Sequence, residues 1–336
     1  MMGKKHMKTI TLVSKASLSL ICLLLCGYCQ AQHTGQAIAQ PEYPKDNSYN
    51  LQSAFAKYQH DYANIQLPVL RNTDTLLHQQ QVYSSETGRD LHLQIYQSRL
   101  LHKGQAILLI HGGGWHSGHP GLMQPLAQAL ALQGYVTATL EYRLSPEALY
   151  PAALLDINQA VLWLKQHSAS LDFEPKQLIL LGGSSGGHLA ALFAYSAELK
   201  LFAEDYPANQ VQAVIDLDGV LNVASGEGLA AEDKQGKTDS ALARWLGGNF
   251  AAQTAKWQAI SVPQYISAHS PPMLFIASKQ TRFRAGYAEV AEQLEAQGIS
   301  NQLVVFDDAP HSFWLFEPWF SPTLQKIEQF MQTLEH

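Results

Sequence analysis

A mostly parallel β-sheet of about eight strands, covered by helices on both faces, is the fold class this sequence predicts. Three observations carry that expectation. Short apolar runs alternate with helical stretches from about residue 106 to the C-terminus, the pattern of repeated strand–helix units. Several of the runs, such as AILLI at Ala106–Ile110, LILL at Leu178–Leu181 and MLFIA at Met273–Ala277, are apolar throughout, as in strands buried on both faces. One of them passes through a Gly/Ser run straight into an Ala/Leu-rich helix, in Gln177–Ala194 (QLILLGGSSGGHLAALFA).

The elements follow in order. Leu51–Tyr62 is a helical stretch, with Leu51, Phe55 and Tyr58 on one face. Residues 81–84 and 91–96 alternate around Glu86-Thr-Gly-Arg, a hairpin signature. Ala106–Ile110 is a buried strand, Gly121–Gln133 a helix and Tyr135–Tyr142 a strand. Ala152–His167 is a helix with Pro151 just before it, a favourable place for proline. Leu178–Leu181 is a strand, followed by its helix. Val211–Leu217 and Met273–Ala277 are strands, Tyr287–Gln297 a helix, Gln302–Phe306 the last strand and Thr323–Leu334 the closing helix. Residues 221–265 interrupt the alternation. They are rich in Gly, Ala and charge, and read as an insertion on the ligand side of the sheet.

The first 31 residues have the form of a secretory signal peptide. Lys4, Lys5, Lys8 and Lys15 precede an apolar run from Leu18 to Tyr28, and Cys29-Gln30-Ala31 offers small residues for cleavage. The apolar run is short for a membrane span. The expectation is a protein exported to the periplasm or beyond the cell, with no membrane attachment once the signal is removed. All three cysteines lie in this segment, so the processed chain would form no disulfide and would depend on its core. Residues 32–80 read as an N-terminal arm that packs on the domain or partly caps its site, and 81–336 as the catalytic domain. A net charge of −6 without a basic stripe excludes nucleic acid as an expected partner.

Gly-x-Ser-x-Gly between a strand and a helix is the sequence form of a nucleophile elbow. Two registers fit: one makes Ser184 the nucleophile, the other Ser185. Spacing does not choose between them. His111-Gly112-Gly113-Gly114-Trp115 follows a buried strand, and its glycines leave backbone N–H groups open to a negatively charged oxygen. A serine hydrolase also needs a base and a group to orient it.

HGGGW, EYRLSPEALYPAALLDINQAVLWL, GGSSGGHLAAL and APHSFW together resemble an α/β-hydrolase esterase of the feruloyl/acetyl-esterase-like branch related to hormone-sensitive lipase. The resemblance runs from about Val82 to Met331. Its usual elbow, G-x-S-A-G-G-H-L-A, implies that Ser184 is the nucleophile and that Ser185 joins Gly113 and Gly114 in the oxyanion hole. It also implies that His311, in the loop after the last strand, is the base. His111 and His188 are expected to be structural.

The acid departs from the family pattern. Relatives place it after the strand equivalent to Met273–Ala277, but residues 277–286 hold no carboxylate, and Thr281 occupies the expected position. Either the site is a dyad or the acid comes from elsewhere. Asp218, at the end of the preceding strand where relatives often carry Tyr, is the expected source, because ends of neighbouring strands lie about 5 Å apart. Asp216 matches a residue that is usually structural, and Asp307 and Asp308 are expected to point along their loop.

Arg282 and Arg284 replace the usual acid segment, and one of them is expected to bind a uronic-acid carboxylate or the acyl group; a surface ion pair is the plainer alternative. Trp115 and Trp314 complete the expected substrate contacts. The resemblance implies an exported carbohydrate esterase, similar to pectin and xylan acetylesterases, that needs no metal or cofactor. A short-chain carboxylesterase or lipase, and a non-catalytic ligand-binding protein on the same fold, are the competing expectations.

Overall fold

The computed structural model describes residues 46–145, 147–202, 210–233 and 239–334. The stretch expected to be a signal peptide and the start of the arm lie outside the described residues. Among the described residues, no helix is long and apolar enough to cross a membrane.

Among the described residues, eight strands form one sheet. They are β1 (Leu76–Ser84), β2 (Leu91–Ser98), β3 (Ala106–Ile110), β4 (Val136–Leu140), β5 (Leu178–Gly183), β6 (Ala213–Leu217), β7 (Met273–Ala277) and β8 (Asn301–Val305). Their spatial order is β1-β2-β4-β3-β5-β6-β7-β8. β1 and β2 form an antiparallel hairpin and β2 pairs antiparallel with β4; all later pairings are parallel. Every residue of β3 to β7 is buried, which is why those strands read as largely apolar runs, with Thr137, Thr139 and Asp216 the buried polar exceptions.

The described residues also form ten α-helices: α1 (Leu51–Tyr58), α2 (Gln124–Leu132), α3 (Ala152–Gln166), α4 (Ser168–Leu171), α5 (Ser185–Ser196), α6 (Gly226–Glu232), α7 (Ala241–Leu246), α8 (Phe250–Ala259), α9 (Tyr287–Ala296) and α10 (Phe320–Thr333). The core is split by the sheet. One half packs α3, α5, α7, α8 and α9 through side chains such as Ile157, Leu189, Trp245, Trp257 and Leu294. The other packs α1, α2 and α10 through Tyr58, Leu126 and Phe330.

Two stretches differ from the sequence pattern for local reasons. The helix expected from Gly121 begins at Gln124, after a short 3-10 turn over Pro120–Leu122. Pro125 lacks an N–H and its ring excludes a preceding helical turn. The described residues of the interrupted region 221–265 hold the short helices α6, α7 and α8. Gly247, at φ 79°, ends α7, and the Asn249 side chain accepts from Ala252 N to start α8.

The arm bridges two loops at the carboxyl ends of the strands. Asp46 receives Gly118 N–H on its carbonyl and pairs with His116 at 3.3 Å, at the glycine loop after β3. Tyr49 Oη lies 2.6 Å from Ser312 Oγ, beside His311. Phe55 and Tyr58 pack on Phe316, and Tyr62 on Trp319.

Candidate active site

Ser184 sits between β5 and α5 at φ 56°, ψ −125°, a strained conformation for a residue with a side chain. The surrounding glycines make that turn fit. A Cβ on Gly186 would lie 2.2 Å from Ile110 O, and one on Gly182 would lie 2.1 Å from Gly186 O. Ser184 N–H donates to Leu217 O at 2.8 Å, fixing the turn to the end of β6.

His311 stands between Ser184 and Asp218. Its Nε2 is 2.9 Å from Ser184 Oγ and its Nδ1 is 3.0 Å from Asp218 Oδ2. A carboxylate only accepts, so Nδ1 carries the proton and Nε2 accepts from the serine hydroxyl. Burial pushes the imidazole below its ordinary pKa. The Asp218 carboxylate opposes this shift, while the charges of Arg282 and Lys57 add to it. The ring is therefore neutral at neutral pH.

Asp218 is fully buried and follows β6 at φ 58°. Its N–H donates to Ile276 O at 2.9 Å, and its Oδ1 accepts from Ser278 N at 2.7 Å. The first residue after β7 thus supplies a donor to a carboxylate carried by β6. Asp216 has a different place. Its Oδ1 accepts from Gly219 N at 2.6 Å, and burial raises its carboxyl well above the usual range. Asp308 accepts from Trp319 Nε1, and Asp307 is exposed.

The glycine loop presses against the elbow. A Cβ on Gly112 would lie 2.6 Å from Gly183 O and 2.9 Å from Ser184 Cβ. Gly113 (φ 131°) has its carbonyl held by Ser117 N and Oγ, and Gly114 lies at φ 62°. Among the described residues, the N–H groups of Gly113 and Gly114 have no hydrogen-bond acceptor. Ser185 N–H, at the first position of α5, has no acceptor within the helix. These are the three donors expected beside Ser184.

The other two histidines are held neutral. Burial lowers both His111 and His188 to about 4. His111 stacks on Tyr142 with its Nδ1 2.9 Å from Gly112 O. His188 donates from Nε2 to Ile260 O at 2.8 Å and accepts at Nδ1 from Trp115 Nε1 at 3.3 Å. Both hold loops.

A cavity of about 220 Å³ opens over Ser184, His311 and Asp218, with Trp115, Val220, Ala241, Phe283 and Arg282 in its wall. Trp115 is 5% exposed and stacks on Trp245 at 5.5 Å. Arg282 lies over the Phe283 ring at 4.2 Å and reaches Glu232 at 3.8 Å. The two arginines therefore separate: Arg284 is half-buried in the same turn and does not line the cavity. Trp314 also departs from the expected wall. It is 3% exposed, and its ring lies where a Gly183 Cβ would come within 2.5 Å. It supports the elbow and meets His311 edge-on at 5.6 Å. Among the described residues of the arm, none lines this cavity, and Thr281 bonds Glu227 outside it.

Phe283 is a site residue that the sequence does not mark, because its contact is with a residue distant in the chain: its ring stacks on His311 at 3.6 Å, 8° from parallel. Among the described residues, no group of three His, Cys, Asp or Glu is placed to hold a metal ion.

This sheet order, with a serine at the sharp turn after the central β5, defines the class: an α/β-hydrolase esterase. The chain belongs to the BD-FAE family, which it matches over residues 93–283. Esterase 2 of the planctomycete Thermogutta terrifontis in its propionate-bound structure is 27% identical with a TM-score of 0.63, covering 79% of this chain and 96% of that one. The probable carboxylic ester hydrolase LipM of Mycobacterium tuberculosis is 30% identical over 162 residues, 46% of this chain and 38% of LipM. The carboxylesterase NlhH of the same species is 34% identical over 92 residues, 27% of this chain and 29% of NlhH. The chain thus spans well under half the length of these curated relatives. The relatives and the solved structures support carboxylic-ester hydrolysis.

Proposed function

We propose that this chain is an exported serine esterase that removes acetyl groups from plant cell-wall polysaccharide. One observation carries the catalytic part: His311 lies within hydrogen-bond distance of both Ser184 Oγ and Asp218 Oδ2. Ser184 Oγ attacks the ester carbonyl while His311 Nε2 takes its proton. Asp218 holds Nδ1–H and stabilises the imidazolium. The N–H groups of Gly113, Gly114 and Ser185 receive the oxyanion, each such donor contributing about 2.7–4 kcal/mol in the transition state. Collapse expels the sugar hydroxyl, protonated by Nε2. Water, deprotonated by His311, then releases the acid and restores the serine.

The short acyl group is supported by the cavity. At about 220 Å³ it is below the roughly 300–1,000 Å³ of sites that enclose whole drug-sized ligands. Trp115 and Phe283 add bulk to its wall. Export is supported by the basic and apolar stretches of residues 4–28.

Labelling with a fluorophosphonate probe tests the nucleophile: wild type should react and Ser184→Ala should not. Equal labelling of both would remove Ser184 from the mechanism. Acetate, methanol and ferulate release from acetylated xylans and pectins tests the substrate, with acetate expected. A second reading, a short-chain carboxylesterase, has its own support in the propionate- and butyrate-bound neighbours. Faster turnover of p-nitrophenyl butyrate than of p-nitrophenyl acetate and acetylated oligosaccharide would select it.

A further inference from the structure

On the other flank of the glycine loop lie two further cavities, of about 530 and 540 Å³. Each falls within the range that holds a small ligand, roughly 300–1,000 Å³. They share His119, Pro120 and Glu141, so they adjoin one another. The first is lined by His111, Glu141 and Tyr142, past the carboxyl ends of β3 and β4, and by Asn47, Asn50 and Gln52 of the arm. β4, β3 and β5 are consecutive in the sheet, so this cavity is about two strand spacings, roughly 10 Å, from the turn that carries Ser184. A few sugar units cover that distance.

The second cavity runs along one face of the β1–β2 hairpin. Gln80 pairs with Gln94 and His78 with Tyr96 in the register, and all four line it. Gln94 Nε2 donates to Gln80 Oε1 at 2.9 Å, and His78 Nε2 lies 2.9 Å from Gln94 Oε1. His78 is exposed and stacks on buried Tyr96 at 4.7 Å. Leu76 and Tyr96 on this same face join the core under α2, yet the positions beyond them carry amides and imidazole. That row gives hydroxyl-binding groups beside a flat ring.

Charge narrows the ligand. Arg89 is buried and held by Glu147 through Nε and Nη2, and by Glu141 through Nη1. Burial lowers the pKa of His119, whose Nδ1 accepts from Gly121 N. Glu141 also holds His92 Nδ1 at 2.9 Å, so the guanidinium and this imidazole are both turned to carboxylates of the groove and offer a polyanion little to bind. The mixture of amides, imidazoles and flat faces suits sugar hydroxyls and their apolar C–H faces.

We propose that these two cavities form a groove that binds an uncharged oligosaccharide, the sugar chain leading away from the ester held at Ser184. The location along the substrate rests on the polysaccharide reading of that site; the binding itself does not. Full-length Ser184→Ala protein is titrated calorimetrically with unacetylated xylo-oligosaccharide and with oligogalacturonide. The xylo-oligosaccharide should bind at least tenfold more tightly. Adding Gln80→Ala and Gln94→Ala should weaken it roughly fivefold, as loss of one or two hydrogen bonds would. In the active enzyme the same pair should raise KM for acetylated xylo-oligosaccharide relative to that for p-nitrophenyl acetate. A thermal midpoint equal to the parent's checks the fold of the double variant. If it does not fold, Gln124→Ala, an exposed lining residue on α2, provides the same comparison. Unaltered affinity in the folded variant, or tighter binding of oligogalacturonide, overturns the groove. An enzyme that deacetylates sugars with a KM indifferent to these substitutions would keep the substrate reading and lose the groove. Gln80- and Gln94-dependent binding without any sugar deacetylation would keep the groove and lose the substrate reading.

Discussion

Replacing Asp218 with Asn tests the least ordinary part of the site. The change keeps shape and volume in a fully buried position, so the fold should survive. The Asp218 oxygens take two N–H donors, Ser278 N at 2.7 Å and His311 Nδ1 at 3.0 Å. An amide has one acceptor oxygen and one donor NH2, so it cannot serve both. If the oxygen keeps Ser278 N–H, the NH2 group faces Nδ1 and favours the tautomer with the proton on Nε2. Nε2 then points a proton at Ser184 and cannot act as base. If the amide turns over, Ser278 N–H meets NH2 in the buried interior, which costs about 1–3 kcal/mol. The first arrangement is therefore favoured, and kcat should fall by about 10⁴, as for the same change in other serine triads. At 1.36 kcal/mol per decade that is about 5.4 kcal/mol of barrier. Initial rates on p-nitrophenyl acetate, with near-ultraviolet circular dichroism to check packing, measure it. Activity within tenfold of wild type in a correctly folded Asp218→Asn protein would refute the role given to this carboxylate.

Three further outcomes follow from the same geometry. The acid limb of kcat/KM should lie below the ordinary histidine range near pH 6.5, because burial lowers His311. Arg282→Ala removes a charge that lowers it further, so that variant's limb should move to higher pH; a shift to lower pH would contradict the electrostatics. His111 and His188 are held at about 4 in the folded chain against about 6.5 unfolded, so the unfolded chain binds protons first as pH falls. Their contribution is fully present above about pH 6.5 and is lost toward pH 4, by up to about 3 kcal/mol each. Urea midpoints at pH 7, 5.5 and 4.5 should therefore fall, and His188→Gln should flatten the slope. Gly183→Ala places a Cβ 2.5 Å from the Trp314 ring, and should destabilise by about 1–3 kcal/mol and reduce kcat; an unchanged melting temperature would show that the indole yields freely.

The sequence reveals most where one residue type has one physical reason to be there. The apolar runs of β3 to β7 are buried on both faces, so little but a covered parallel sheet explains them. The elbow is legible because its glycines stand where a Cβ would strike backbone. Residues whose role depends on distant partners were harder to read. Trp314 looks like a sugar platform in sequence, but Gly183, far along the chain, lets its ring pack behind the nucleophile. Arg282 and Arg284 are alike in sequence and are separated by the turn that holds them. The polar face of the hairpin emerges only when β1 pairs with β2 and Gln80 comes opposite Gln94.

Moving the acid from β7 to β6 is physically reasonable because the imidazole needs only one carboxylate oxygen at its Nδ1 edge. β6 and β7 are hydrogen-bonded neighbours, and the bond from Asp218 N to Ile276 O continues that pairing past the end of β6. The left-handed conformation at Asp218 accompanies the approach of its side chain to Ser278 N–H and His311. The segment after β7 then carries no acid and places Phe283 flat against the histidine. An aromatic face there restricts the ring and limits water around it, while Asp218 supplies charge at its edge. The two roles are separable. Phe283→Leu should leave the Nδ1 contact and lower kcat through a less constrained ring, whereas Asp218→Asn should remove the base by tautomer. Proton resonances of the His311 imidazole distinguish them: a downfield Nδ1–H signal should persist in the first variant and vanish in the second. Loss of that signal in both would mean that the stacked ring, as much as the carboxylate, sets the tautomer.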